Sequence, residues 1–166
     1  AWLDQVLADS PRRWNIAMVH QPMFSPRQDR DNAILRREIL PVLERHRVDL
    51  VLQGHDHVYG RLKNEAPTPV FVVSVTGAKQ YRLSEEARKT MRPVAEDTQL
   101  FQVLRFDGSR LRYEARTATG RLYDAFDLVD GGAAGKQLVE HAEGRIEERT
   151  CTRAETLKGR ADRCWE

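Results

Sequence analysis

The chain alternates short apolar runs with longer charged stretches, and the spacing inside each separates strand from helix. Trp2, Leu3, Val6 and Leu7 fall on one face of a helix that Asp9, Ser10 and Pro11 end. That helix starts at residue 1 with no capping signal before it, which reads as a chain continuing from an earlier segment. Ile16 to Val19 is a short apolar run bounded by turn residues, as expected of a strand buried on both faces. The charged stretch after it spaces Ile34, Leu35, Ile39, Val42 and Leu43 for a helix, which Pro41 should kink or split. VDLVLQG (48–54) follows as a second buried strand. Strand, helix and strand over this length predict parallel pairing with a right-handed crossover.

After Arg61 the texture changes. TPVFVVSVTGA (68–78) predicts a third strand, and the polar stretch from Lys79 to Thr98 is expected to be irregular. QLFQVLRF, RLRYEAR and RLYDAFDLV then read as three strands, with turns at Asp107-Gly108 and at Gly120. Leu111, Tyr113 and Ala115 share one face while Arg110, Arg112, Glu114 and Arg116 share the other, the alternation of an antiparallel meander with one wet face. DGGAAGK (130–136) reads as a flexible joint. The charged tail beyond it is expected to lie as a flap, anchored by Leu138, Val139, Ile146, Leu157 and Trp165. The expected fold is α/β, a parallel βαβ unit followed by an antiparallel meander over residues 1–130, with a linker and tail at 131–166.

Composition narrows the partners. With 27 basic and 25 acidic residues the net charge is +2, which does not supply the basic face of a dedicated nucleic-acid binder. Mean hydropathy is −0.62. No apolar run reaches membrane-spanning length, and the N-terminus lacks a signal-peptide layout. The two cysteines, Cys151 and Cys164, are expected to form a disulfide worth roughly 3 kcal/mol, which points to a periplasmic or secreted protein. Two unrelated thiols are the alternative.

The candidate chemistry lies at the strand ends. His20 follows the first strand, and His55 and His57 follow the second. Because those strands should run parallel, all three imidazoles should reach the sheet edge where open α/β proteins build their sites. Gly54 is expected to permit the sharp turn before them. A His-x-His loop can offer two imidazoles to one metal or one to each of two. Imidazole suits zinc, iron, nickel or copper, and carboxylates complete sites for manganese or iron. The plainer alternative is three loop histidines on the surface, as expected of His46 and His141.

Met18-Val19-His20-Gln21-Pro22 and Gly54-His55-Asp56-His57-Val58-Tyr59-Gly60-Arg61 resemble the last two metal-binding motifs of the calcineurin-like metallophosphoesterases. These motifs run V-x-x-H-x-P and G-H-x-H-x-Y-x-R, here with Ala17 in place of the leading valine. The likeness is strongest to the purple-acid-phosphatase-like branch, and VFVVSVTGAKQY and YEARTATGRLYDAFDLV look like the C-terminal segment of its bacterial members. The resemblance covers about residues 1–130. It implies hydrolysis of phosphate esters at a two-metal centre of iron, zinc or manganese. His20 and His55 would bind one ion and His57 the other. Gly54, Tyr59 and Arg61 would brace the loop, and Asp56 would serve the turn.

The family's earlier motifs, D-x-H or D-x-G, G-D-x-x-D or G-D-x-x-Y, and G-N-H-E or G-N-H-D, do not occur here. The resemblance therefore implies the C-terminal half of an enzyme, with the N-terminal half of the same polypeptide as its missing partner. No catalytic residue is assigned within this stretch, which on its own would hold one metal or none and be inactive. Arg27 and Arg30, in FSPRQDRDN, are the nearest candidates for a phosphate contact, solvated loop arginines being the alternative. A half sandwich also exposes a sheet edge, so self-association is expected. Two rival readings are a metal-binding or docking module without catalysis, and a structural interaction domain.

Overall fold

The computed structural model describes residues 2–63, 68–75 and 77–151. Strands β1 (Ile16–Val19), β2 (Leu50–Gln53) and β4 (Val70–Val73) run parallel, in register from Ile16 opposite Leu50 and from Leu50 opposite Val70. β3 (Tyr59–Leu62) and β5 (Met91–Ala95) complete the sheet in antiparallel pairing, in the order β1-β2-β4-β3-β5. A second sheet is an antiparallel meander of β6 (Leu100–Asp107), β7 (Arg110–Thr117), β8 (Leu122–Asp130) and β9 (Lys136–Glu140). The expected α/β fold is present, a parallel-containing sheet joined to an antiparallel one.

Alternation along the strands sorts the core into two faces. Val51 and Phe71 point to one side, where they meet Met23, Leu43 and Val48. That side is covered by α1 (Trp2–Ala8) through Leu3 and Leu7, by α2 (Ala33–Glu38) through Leu35, and by α3 (Leu40–Arg45) through Leu40. Leu50, Val70 and Val72 point to the other side and pack on Leu111, Tyr113, Tyr123, Phe126 and Leu128 of the second sheet. The result is a helix layer, a sheet and a second sheet, whose outer face carries the ion pairs of Arg105 and Arg116 with Glu114 and of Arg112 with Asp127.

Some segments depart from the sequence pattern. Pro41 falls in the first turn of α3, the position where its missing N–H costs nothing, so the charged helix is divided at Ile39. The stretch expected to be irregular holds α4 (Glu85–Thr90) and β5. Ser84 caps α4 by accepting from the Ala87 amide at 2.9 Å, with Glu85 and Glu86 in the first turn and Arg88 and Lys89 in the last, matching the helix dipole. The expected joint is a 3-10 turn at Gly132–Ala134 leading directly into β9, which pairs with β8 from Asp130 opposite Lys136. Beyond β9 the chain lies against the body. The Ile146 amide donates to the Leu122 carbonyl at 2.9 Å, and the Glu96 amide to the Arg149 carbonyl at 2.7 Å. Cys151 is disulfide-bonded, while Cys164, Leu157 and Trp165 lie outside the described residues.

Candidate metal centre

β1 and β2 end side by side, and the loops leaving them are stitched together. The Gly54 amide donates to the His20 carbonyl at 3.2 Å, and the Met23 amide donates to the Gln53 Oε1 at 2.7 Å. This pairing delivers His20 and His55 to one spot. His55 Nδ1 lies 2.9 Å from His20 Nε2, with the rings edge-to-face at a centroid separation of 4.8 Å. Two nitrogens about 2.05 Å from one metal are separated by roughly 2.9 Å at a right angle and roughly 3.3 Å at the tetrahedral angle, so this pair, at hydrogen-bond distance, needs little or no movement to share an ion.

His57 is placed differently. Its Nδ1 lies 2.9 Å from the Lys79 carbonyl, and its own carbonyl accepts the Tyr81 amide at 3.0 Å. A ring nitrogen engaged this way fixes the tautomer and leaves Nε2 as the free donor, the usual outer support of a metal-bound imidazole. Among the described residues no three His, Cys, Asp or Glu side chains converge as a metal cage. Two of the three histidines therefore meet, and the third stands beside them on its own support.

The reason is local backbone. His55, not Gly54, takes the left-handed conformation, at φ 63°, so successive side chains do not alternate as they would along a strand. Asp56 holds this turn. It is fully buried, accepts from Ser25 Oγ at 2.5 Å, and pairs with Arg30 Nε at 2.7 Å. Partial burial and then the Arg30 guanidinium keep the His55 imidazole below its usual pKa, against the pull of Asp56. A neutral ring is the form that binds metal.

Of the arginines expected near a phosphate, Arg30 is thus committed to Asp56, while Arg27 lies over the Tyr81 ring with its guanidinium carbon 4.1 Å from the centroid. Tyr59 and Arg61 point away from the histidines into the sheet interface. Tyr59 Oη donates to Asp124 Oδ2 at 2.7 Å, and Arg61 Nε donates to the same oxygen at 2.8 Å. Arg61 also grips Glu140 through Nη1 and Nη2 at 2.6 and 2.9 Å. The two histidines outside the motifs are not idle: His46 Nε2 lies 2.7 Å from Asp4 Oδ1, and His141 Nε2 lies 2.9 Å from Asp127 Oδ2. Lys79 and Tyr81 escape sequence reasoning, because a backbone carbonyl that orients an imidazole leaves no mark on residue type.

Residues 1–59 match the calcineurin-like phosphoesterase family model. Purple acid phosphatase 17 of Arabidopsis thaliana is 29% identical over 141 residues, which is 82% of this chain and 40% of that protein. Purple acid phosphatase 4 of the same plant is 30% identical over 80 residues, 48% of this chain and 24% of the relative. In fold, the chain resembles purple acid phosphatase PPD1 from yellow lupin seeds, with a TM-score of 0.66 at 21% identity over 76% of this chain and 27% of that one. It also resembles GAP50, the anchor in the inner membrane complex of Plasmodium, with a TM-score of 0.65 at 16% identity over 87% and 43% of the two chains. Family model and relatives make this chain similar to the calcineurin-like phosphoesterases, and the solved structures share its fold. Within that class the likeness is to the purple acid phosphatases. The chain spans 40% of the length of the first of these relatives.

Proposed function

We propose that this chain supplies His20, His55 and His57 as metal ligands to a centre that hydrolyses phosphate esters. The observation that carries the reading is the 2.9 Å approach of His20 Nε2 to His55 Nδ1 at the carboxyl ends of two parallel strands. His20 and His55 would hold one ion of iron, zinc or manganese, and His57 Nε2 a second. Lewis-acid polarisation of phosphoryl oxygens and activation of water near neutral pH are the chemistry that such ions supply. The chain's own residues set the donors. Asp56 locks the turn that aims His55, and the Lys79 carbonyl fixes the His57 tautomer. Arg27 adds positive charge where an anionic substrate must approach. Bridging carboxylate and asparagine ligands would come from the earlier motifs, in the other half of the polypeptide, so the chain alone is inactive. The disulfide at Cys151 favours an oxidising compartment, periplasmic or extracellular, and no helix among the described residues is long and apolar enough to cross a membrane.

The test is phosphatase turnover with added manganese, zinc or iron, on this chain and on a version extended upstream to include the missing motifs. Turnover is expected only in the extended protein and is abolished by His55→Ala. Full activity in that variant would overturn the proposal. A second reading, a non-catalytic module using His20 and His55 as a single-metal or docking site, is favoured by the lack, among the described residues, of three converging His, Cys, Asp or Glu side chains. It predicts zinc binding with no turnover in either version.

A further inference from the structure

Gln53 is the one polar residue of β2, and by strand alternation it shares the helix-side face of Val51, where it is only 6% exposed. A buried amide is costly unless its hydrogen-bonding groups are paired. Here only half of it is: Oε1 accepts the Met23 amide at 2.7 Å, while Nε2 is shielded from solvent with no acceptor among the described residues. Leucine would fill the position without that cost, so packing alone does not account for the glutamine. Met23 is fully buried and lies three residues beyond His20, and Gln53 lies two residues before His55. Asn32 Nδ2 donates to the Pro22 carbonyl at 2.6 Å and Arg36 Nη1 to the Met23 carbonyl at 2.8 Å, which fixes the same loop to α2 and not to His55. The hydrogen bonds that cross to the strand end of His55 are the Gly54 amide to the His20 carbonyl, the Met23 amide to Gln53, and Ser25 Oγ to Asp56. Of the two made by side chains, that of Gln53 lies nearer to His20. Gln53 is itself anchored, its carbonyl accepting the Ser74 amide at 3.0 Å just past β4.

We infer that Gln53 is a positioning residue for the metal centre. Its Oε1 extends the pairing of β1 with β2 past the strand ends and so holds His20 Nε2 within reach of His55 Nδ1. This deepens the metal-ligand reading and rests on it for its purpose, while the approach of the two rings is set with or without an ion. Only the acceptor oxygen of Gln53 is used. Glutamate keeps an oxygen at that reach, asparagine falls one methylene short, and leucine has none.

The test compares Gln53→Glu, Gln53→Asn and Gln53→Leu with the unaltered chain, by NMR of the metal-free protein and by calorimetric titration of zinc. The unaltered chain should show a through-space contact between the His20 and His55 rings and slow exchange of the Met23 amide. Gln53→Glu should keep both and bind zinc no more weakly. Gln53→Asn and Gln53→Leu should lose the ring contact, speed Met23 exchange, and weaken zinc binding about fivefold, short of the tenfold or more expected for a partner bonded directly to a ligand. Leucine suits the apolar surroundings, so that variant decides the matter if the asparagine one does not fold. A residue that only stabilised the fold would lower resistance to urea and leave the ring contact and the zinc affinity of the folded protein unchanged. That result, or a loss in Gln53→Glu equal to that in Gln53→Leu, would overturn the inference. Absence of zinc binding by the unaltered chain would remove the metal centre, and the ring contact in the metal-free variants would still decide the role of Gln53.

Discussion

Arg61 Nε lies 2.8 Å from Asp124 Oδ2, so the last residue of the His-x-His motif reaches away from the histidines into the middle of the second sheet. Asp124 is fully buried and Arg61 nearly so. Their pairing, with Tyr59, Glu140 and Arg145 around it, ties the loop that carries His55 and His57 to both sheets. Burial acts against the Arg61 charge, and Asp124 and Glu140 more than restore it, raising its pKa beyond the usual arginine value.

Removing one partner of such a pair leaves the other charge buried and alone, which costs about 3–5 kcal/mol. Asp124→Ala and Arg61→Met should each lose that much in urea unfolding. The double variant should lose less than the sum, because the second change relieves the charge stranded by the first. Strictly additive losses would show that the two residues do not act as a pair.

Tyr59→Phe removes one donor from buried Asp124 and the contact between the Tyr59 and Tyr113 hydroxyls at 3.2 Å. A loss of about 1–3 kcal/mol is expected. Tyr113→Phe, which leaves the bond from Tyr59 to Asp124 in place, should cost less. Thermal unfolding of the two variants side by side decides the order.

The legibility of this fold followed the source of each strand's burial. β2 and β4 are buried by apolar side chains and could be read directly from their Leu, Val and Phe runs. β1, expected to be buried on both faces, is instead the sheet edge, half-buried through Ile16, Ala17 and Val19 with Met18 exposed. β3 contains Gly60 and Arg61 and is buried through an ion-pair network with residues more than sixty positions away, so nothing local marks it as a strand. β5 carries Arg92 and Pro93, and β9 begins with Lys136 and ends with Glu140. Each is a strand because a neighbour supplies its ladder. The convergence of His20 with His55 was legible, since it follows from parallel pairing alone. The separate placement of His57 was not, because it depends on the left-handed turn at His55 and on a carbonyl from Lys79.

Acid should test the charged outer face of the meander. Burial raises Asp127, but its hydrogen bonds to Arg112 and His141 outweigh this and hold its pKa below the ordinary value. Its contribution is therefore present above the unfolded carboxylate value, about 3.9, and is lost as pH falls through the lowered folded value. Asp127→Asn should be less stable than the parent at pH 6, with the gap closing below about pH 4. Asp49 has the opposite sign, since burial raises its pKa above the ordinary value despite Lys136 and Asn15. Asp49→Asn should then lose stability more steeply on acidification than the parent. Unfolding free energies measured between pH 2 and 7 separate the two.

The edge strand β1 has β2 as its only partner among the described residues, and Met18 on it is 82% exposed. An apolar, unpaired edge is a template for self-association. Light scattering should find dimers or larger species, and Met18→Lys should shift them toward monomer. A monodisperse monomer at high concentration contradicts this expectation.

The account depends above all on His20 and His55 sharing an ion. Calorimetric titration of zinc into the purified chain, beside His20→Ala, His55→Ala and His57→Ala, measures that directly. Each of the first two changes should weaken binding at least about tenfold, and His57→Ala should weaken it less. Zinc affinity in His20→Ala or His55→Ala equal to that of the unaltered chain would contradict the shared site.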